Sequence, residues 1–102
     1  MAGKAKVISP VHPGETLRED FLRPLGLTPH RLAMDLLVPA TRMNDIVRGQ
    51  RVITADTALR LARYFGTTPQ FWMNLQANYD LEIAEDERGS EISDRIRPRR
   101  AA

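Results

Sequence analysis

Apolar residues recur at helical spacing in five separate stretches of the chain. The first stretch, about residues 13–23, carries Leu17 and Phe21 with Leu22 beside them, and Leu25, just beyond it, continues the interval of four. This period predicts an amphipathic helix with one buried stripe. Pro13 suits its first helical position, where a missing N–H costs nothing.

Three further helices follow at short intervals. The second begins at Thr28 with Pro29 in the first position and runs to about 36, the third covers about 39–49, and the fourth covers about 55–65. We expect the following side chains to face the core: Leu32, Ala33 and Leu36 in the second helix; Met43, Ile46 and Val47 in the third; Ala55, Ala58, Leu59, Leu61, Ala62 and Phe65 in the fourth.

The fifth helix begins at the same kind of signal, Thr68 followed by Pro69, and its apolar residues span more than one face. A domain this small cannot easily bury all of them, so we predict a dimer formed through this helix. The predicted interface residues are Phe71, Trp72, Leu75, Tyr79 and Ile83. The alternative is that Trp72 belongs to the core and that the dimer forms nearer Tyr79 to Ile83.

A length of 102 residues bounds the chain to one small domain. We predict an all-α, five-helix domain at 12–84, preceded by a flexible arm at 1–11. Residues 85–102 are predicted as a charged tail, either a short helix or disordered. The sequence has no cysteine, no apolar run long enough to span a membrane and no signal peptide. These features fit a cytoplasmic protein.

The small net charge of +2 hides a strong asymmetry along the chain. Residues 1–79 carry ten Lys/Arg against six Asp/Glu, residues 80–94 carry seven acids and one arginine, and residues 95–102 carry four arginines. A basic body suggests a surface that binds phosphates. On charge alone, a solvated surface of mixed sign explains the same numbers equally well.

The second and third helices are joined by only three residues, Leu37, Val38 and Pro39. Two short helices on so tight a turn are typical of a helix-turn-helix, here at about 28–48, whose second helix enters the DNA major groove. The alternative is that its polar residues form the solvated side of an ordinary amphipathic helix.

The polar side chains around this turn are of the types that read DNA. Arginine can form two hydrogen bonds with guanine and asparagine two with adenine, while cations just past the third helix and the start of the second can meet phosphates. An ordinary surface histidine is the alternative at His30. The predicted DNA contacts are Thr28, His30, Thr41, Arg42, Asn44, Asp45, Arg48 and Arg51.

Several short motifs follow one another in a typical order. They are HPGE at 12–15, LRE at 17–19, PLGL at 24–27, VP at 38–39 with Arg42, IVRG at 46–49, ITADTALRLA at 53–62, FW at 71–72, LQ at 75–76 and YDL at 79–81. Together they resemble the HigA-type antitoxins of the Xre/Cro helix-turn-helix group, over roughly residues 10–86. The resemblance implies a lambda-repressor-like fold and a homodimer that represses its own operon. It also implies a partner toxin, usually a ribosome-dependent endoribonuclease that cleaves mRNA.

One residue departs from the family pattern. The turn usually carries glycine before the position of Val38, and this chain has Leu37. If that position requires a positive φ, leucine costs about 1 kcal/mol or more, and a reshaped turn would change how the third helix docks. This departure keeps open a protein-interaction adaptor that has lost DNA binding. A stand-alone Xre-type regulator without a toxin is the other alternative.

The acidic segment 80–94 suggests where a toxin would bind, because toxins that cleave RNA tend to be basic. We therefore expect the ends of the chain, and not the third helix, to contact it. An enzyme is not expected. His12 fits a helix cap better than a catalytic base, and Glu15, Glu19 and Asp20 fit a solvated helix face. The sequence has no glycine-rich phosphate loop, and we predict no metal site and no cofactor.

Overall fold

A computed structural model describes residues 9–100, and its regular structure over that range is entirely helical. Helix α1 covers residues 13–25, α2 covers Pro29–Leu36, α3 covers Ala40–Val47, α4 covers Ala55–Phe65 and α5 covers Pro69–Arg95. The all-α, five-helix prediction is confirmed. Residues 1–8 of the predicted N-terminal arm lie outside the described range. No helix in this range combines the length and the apolar character that crossing a membrane requires.

A single apolar core joins all five helices. Trp72 of α5 is completely buried, and its ring centroid lies 4.9 Å from that of Phe21. Its indole N–H donates a 2.7 Å hydrogen bond to the hydroxyl of Thr67. Trp72 therefore belongs to the core, as the alternative interpretation held, and offers no surface to a second subunit. The buried apolar side chains are Leu17, Leu22, Leu32, Ala33, Leu36, Met43, Ile46, Val47, Ile53, Ala58, Leu61, Ala62 and Trp72.

Helix α1 widens in its middle, where Leu17–Leu22 form a π-helical stretch. Pro24 has no N–H and its ring would crowd the carbonyl four residues earlier, and the wider turn relieves that clash. Leu17 and Leu22, five residues apart, are both buried, whereas Leu25 is 60% exposed. The prediction of a stripe that includes Leu25 was wrong because it assumed the ordinary helical period.

The predicted inner face of α4 also needs a correction. Ala58, Leu61 and Ala62 are buried, but Leu59 is 59% exposed and Ala55, the first residue of the helix, is exposed too. Leu59 follows Ala58 by one residue, which rotates it by about 100° around the helix, away from the core.

The first turn of α1 packs directly on the last turn of α3. A Cβ built on Gly14 would overlap the carbonyl oxygen of Ile46 and lie 2.7 Å from its carbonyl carbon. Arg18, one turn further along α1, donates a 2.8 Å hydrogen bond to the carbonyl of Val47. A cation at this position satisfies a carbonyl left open at the end of a helix.

His12 caps the start of α1, as the sequence predicted. Its Nδ1 accepts a 2.9 Å hydrogen bond from the backbone N–H of Gly14, and its ring packs edge-on against Tyr79 at 4.9 Å. Partial burial lowers the pKa of His12, and the nearby carboxylate of Asp80 opposes that shift. Protonation would place a hydrogen on Nδ1 and break the cap.

Helix α5 continues without a break to Arg95, so residues 85–95 are its last turns and not a separate short helix. Its body-facing half is fixed by a buried glutamine. The side-chain oxygen of Gln76 accepts a 2.7 Å hydrogen bond from the backbone N–H of Ile53, and its amide donates to Asp80 at 3.0 Å.

The contact at Gly14 can be tested with two helical glycines. Gly14→Ala should destabilise the protein by about 2 kcal/mol or more, because the added methyl meets backbone that cannot move aside. Gly89→Ala is the matched control, since its methyl would meet only the flexible side chain of Glu85. It should be neutral or stabilising. Urea unfolding of both variants measures the difference, and equal stabilities would contradict the close contact.

The cap at His12 makes stability depend on pH. A histidine whose pKa is lowered in the folded state contributes stability above its unfolded pKa of about 6.5, and this stability is lost as the pH falls. The melting temperature should therefore drop between pH 7.5 and pH 5. His12→Asn keeps a capping oxygen that does not titrate, so the drop should become smaller. His30→Asn, at an exposed position, is the control, and an unchanged pH profile in His12→Asn would refute the role of the cap.

Candidate nucleic-acid interface

The turn between α2 and α3 has the geometry of a helix C-cap. Leu37 adopts φ 61° and ψ 44°, in the left-handed region, and the N–H of Val38 donates to the carbonyl of Ala33 at 3.0 Å. The glycine-type conformation is therefore kept although the residue is leucine. Its side chain is 83% exposed, so little packing offsets the backbone strain.

Helix α3 exposes one face and buries the other. Met43, Ile46 and Val47 are in the core, as predicted, and Thr41 and Asn44 are exposed. The hydrophobic side of α3 thus fixes its orientation, and its polar side faces solvent next to the turn.

Arg42 is held in place by α4. Its guanidinium lies 3.0 Å from the carboxylate of Asp56, which also accepts a 2.9 Å hydrogen bond from Arg60. Arg60 donates in turn to the carbonyl of Leu36, at 2.8 Å. The hydrogen bond from Arg60, reinforced by that from Arg42, keeps the pKa of Asp56 below its ordinary value. This chain of contacts links the end of α2, the start of α4 and the exposed side of α3.

Asp45 plays a similar part at the other end of α3. One of its oxygens lies 3.4 Å from the guanidinium of Arg48, and the other lies 3.2 Å from that of Arg51. One carboxylate thus orients two arginines and leaves a net positive charge. Both side-chain oxygens of Asp45 are therefore engaged with cations of the same domain.

The two predicted contacts of α2 lie at its start. Thr28 is the N-cap, and its hydroxyl oxygen accepts a 3.0 Å hydrogen bond from the backbone N–H of Arg31. His30 is exposed in the first turn. The hydroxyl hydrogen of Thr28 can still be donated to a ligand.

The structure therefore places six of the predicted contact residues on α3 or just after it, and two at the start of α2. The sequence analysis missed Asp56 and Arg60. Their spacing of four residues on one helix is the usual signal for an ion pair, but nothing in the sequence connected that pair to Arg42. Within residues 9–100, no group of three or more His, Cys, Asp or Glu is arranged to hold a metal ion.

Comparisons with known proteins agree with this geometry. Residues 17–72 match the helix-turn-helix family model. Antitoxin HigA-1 of Vibrio cholerae is 40% identical over 72 residues, which is 71% of this chain and 67% of that protein. The solved structure of the Pseudomonas aeruginosa antitoxin HigA with the higBA promoter superposes with a TM-score of 0.86 at 52% identity, covering 87% of this chain and 97% of that one.

This chain belongs to the HigA family of helix-turn-helix proteins. Another relative is virulence-associated protein I of Dichelobacter nodosus, 55% identical over 89 residues, or 87% of this chain and 82% of that protein. The resemblance drawn from the ordered sequence motifs is thereby confirmed. In this HigA-family chain, the HPGE motif has a physical explanation, because His12 caps α1 and Gly14 admits the backbone of α3.

The strain at Leu37 can be measured. Leu37→Gly should stabilise the protein by about 0.5–1 kcal/mol, because relief of the left-handed strain exceeds the entropy that glycine adds to the unfolded chain. Gly66→Leu is the mirror control, since Gly66 ends α4 at φ 76° with open space around it. It should destabilise the protein. Chemical denaturation compares the two, and a destabilised Leu37→Gly would mean that the exposed leucine makes a compensating contact.

Proposed function

We propose that this protein binds operator DNA as a homodimer and represses its own operon. The observation that carries the proposal is a set of three arginines on the exposed side of α3 or just after it. Arg42, Arg48 and Arg51 are each held by a carboxylate of the same domain. The fit of the whole fold to an antitoxin solved with promoter DNA supports it.

Pre-orientation by carboxylates has a specific consequence for reading DNA. Near the start of α3, Arg42 can exchange the carboxylate of Asp56 for the two acceptors on the major-groove edge of a guanine. The exchange keeps the guanidinium hydrogen-bonded and avoids ordering a free side chain on binding. Phosphates, which carry no sequence information, would instead be met by Arg48 and Arg51 beyond the end of the helix.

The turn geometry bears on the alternative of an adaptor that has lost DNA binding. That alternative depended on a turn reshaped by Leu37, and Leu37 keeps the left-handed conformation that glycine would adopt. The identity of the neighbouring gene distinguishes the antitoxin from the other alternative, a stand-alone regulator. A small basic reading frame beside this gene favours the antitoxin.

The second part of the proposal is neutralisation of such a basic, mRNA-cleaving toxin. The acidic segment 80–94 supports it, because in the structure it is the outer half of α5 and its carboxylates are solvent-exposed. Asp86, Glu87 and Asp94 follow the same side of the helix as Trp72, beyond the point where the body of the domain ends. They are available to a basic partner without disturbing α3.

Arg42 and Arg48 should fail in different ways when removed. Arg42→Ala should weaken the binding free energy for the operator by about 1–3 kcal/mol and that for random DNA very little, so specificity falls. Arg48→Ala should weaken binding to both kinds of DNA, and the slope of log affinity against log salt concentration should become smaller by about one unit. Titrations against the DNA upstream of this gene and against a scrambled duplex, at several salt concentrations, measure both effects.

The control for these titrations is Arg23→Ala. Arg23 lies at the opposite end of α1 from the contact with α3 and pairs with Glu19. Removal of the Arg23 side chain should leave the affinity for both DNA duplexes unchanged. An intact ratio of operator to random affinity in Arg42→Ala would contradict the docking of α3, and no operator binding by the unaltered protein would contradict the proposed function itself.

The acidic residues of α5 should matter for the toxin alone. The triple variant Asp86→Asn, Glu87→Gln and Asp94→Asn removes three negative charges while keeping side-chain size. It should bind the basic protein encoded beside this gene at least about tenfold more weakly, with a slower association rate, and bind the operator unchanged. Calorimetry and stopped-flow mixing measure these quantities. Unchanged toxin binding would exclude this segment and direct attention to residues 1–12.

A further inference from the structure

Helix α5 carries a second apolar stripe that its own domain does not cover. Leu81 is 68% exposed and Ile92 is 47% exposed, although both lie on a well-formed helix. At about 100° per residue, Leu81 points opposite to the buried Trp72, and Ile92 follows Leu81 within about 20°. The stripe therefore faces away from the body of the domain.

The residues along this stripe have the spacing of a helix–helix seam. Leu81, Glu85, Arg88 and Ile92 are separated by four, three and four residues, which is the heptad pattern of a two-helix contact. A shallow depression runs along the same side of the helix, and its lining includes Leu81, Glu85 and Ile92.

The order of these four residues is self-complementary when one copy of the helix is reversed. An antiparallel pair centred between residues 86 and 87 places Leu81 against the partner's Ile92 and Glu85 against the partner's Arg88. Each apolar residue then meets an apolar residue, and each charge meets its opposite. In a parallel pair Glu85 would face its own copy, and so would Arg88, which is unfavourable at an interface.

We propose that α5 pairs in antiparallel orientation with α5 of a second copy of this chain, along the seam Leu81, Glu85, Arg88 and Ile92. This inference rests on the proposed homodimer and names its surface. The proposed interface does not include Trp72, which is buried in the core. It lies further toward the C-terminal end of α5 than Tyr79 and Ile83, the residues expected from the sequence. The seam covers two of the large exposed apolar side chains of α5.

The acidic character of segment 80–94 does not oppose this pairing directly. Asp86, Glu87 and Asp94 lie about 120–160° around the helix from the line of the seam and remain in solvent, where their repulsion is screened. On the isolated protomer, Arg88 lies 3.4 Å from Glu91 of its own helix and is exposed. It can therefore turn to the partner's Glu85.

The absence of cysteine from the natural sequence permits a direct test by cross-linking. Leu81→Cys and Ile92→Cys variants, carrying tags of different mass, are mixed and mildly oxidised. The mixture should give a disulfide-linked heterodimer. Each variant alone should give none, because in the antiparallel pair its cysteines lie about 16 Å apart along the axis, beyond the roughly 7 Å that a disulfide allows between Cα atoms. Asp86→Cys, on the side of the helix turned away from the seam, is the control and should cross-link with neither variant.

A charge variant tests the seam without cysteine. Glu85→Arg should raise the dimer dissociation constant at least about tenfold, because it sets two arginines against each other at both ends of the pair. The double variant Glu85→Arg with Arg88→Glu should restore it. Sedimentation equilibrium measures both, and near-identical circular dichroism spectra ensure that the helix is intact.

The results of these experiments test the proposed seam and the proposed homodimer separately. A dimer by sedimentation that gives no mixed cross-link and tolerates Glu85→Arg would overturn the seam and leave the proposed function standing. Cross-linking of each cysteine variant on its own would overturn the antiparallel order. A persistent monomer at micromolar concentration would overturn the seam and the proposed homodimer together. Protection of the introduced thiols only after addition of the neighbouring gene's basic protein would assign the stripe to that protein instead.

Discussion

The contact between Gly14 and the carbonyl of Ile46 is the constraint on which the arrangement of the helices depends. It brings the backbone of α1 against the last turn of α3, at a distance that no other residue at position 14 would allow. Arg18 satisfies the carbonyl of Val47 next to it, and His12 fixes the turn that leads into it. Since the exposed side of α3 is set by where its buried side docks, this contact also determines which polar side chains reach solvent.

Most of the fold could be predicted from local signals. Thr28, Thr54 and Thr68 mark the starts of α2, α4 and α5, and each accepts a hydrogen bond from a backbone N–H of its first turn. Leu25 could not be placed correctly, because the π-helical stretch of α1 is a response to Pro24 that changes the period locally. The full length of α5 was missed because its outer turns have little apolar surface facing the domain, and that surface is what a periodicity argument detects.

The candidate interface was predictable in its residue types and not in its electrostatics. The polar residues of α3 follow from its amphipathic pattern, but the partners of its arginines come from elsewhere. Asp56 lies fourteen residues after Arg42, on another helix, and sequence spacing gives no sign of the pair. Because carboxylates pair with these arginines, the candidate interface is a set of ordered, partly neutralised cations and not a uniformly positive patch. Such a surface attracts nucleic acid less strongly at long range and discriminates more at contact.

The hydrogen bond from Ile53 to Gln76 has a consequence for the motions of the domain. Residue 53 lies in the loop between α3 and α4, where amide hydrogens ordinarily exchange with solvent within the fluctuations of the loop. Here the amide is buried and bonded to a side chain of α5, so it can exchange only when α5 separates from the body or the whole domain unfolds. The loop that follows α3 is thus tied into the same cooperative unit as the long C-terminal helix α5, so a change in the stability of either should alter amide exchange in the other.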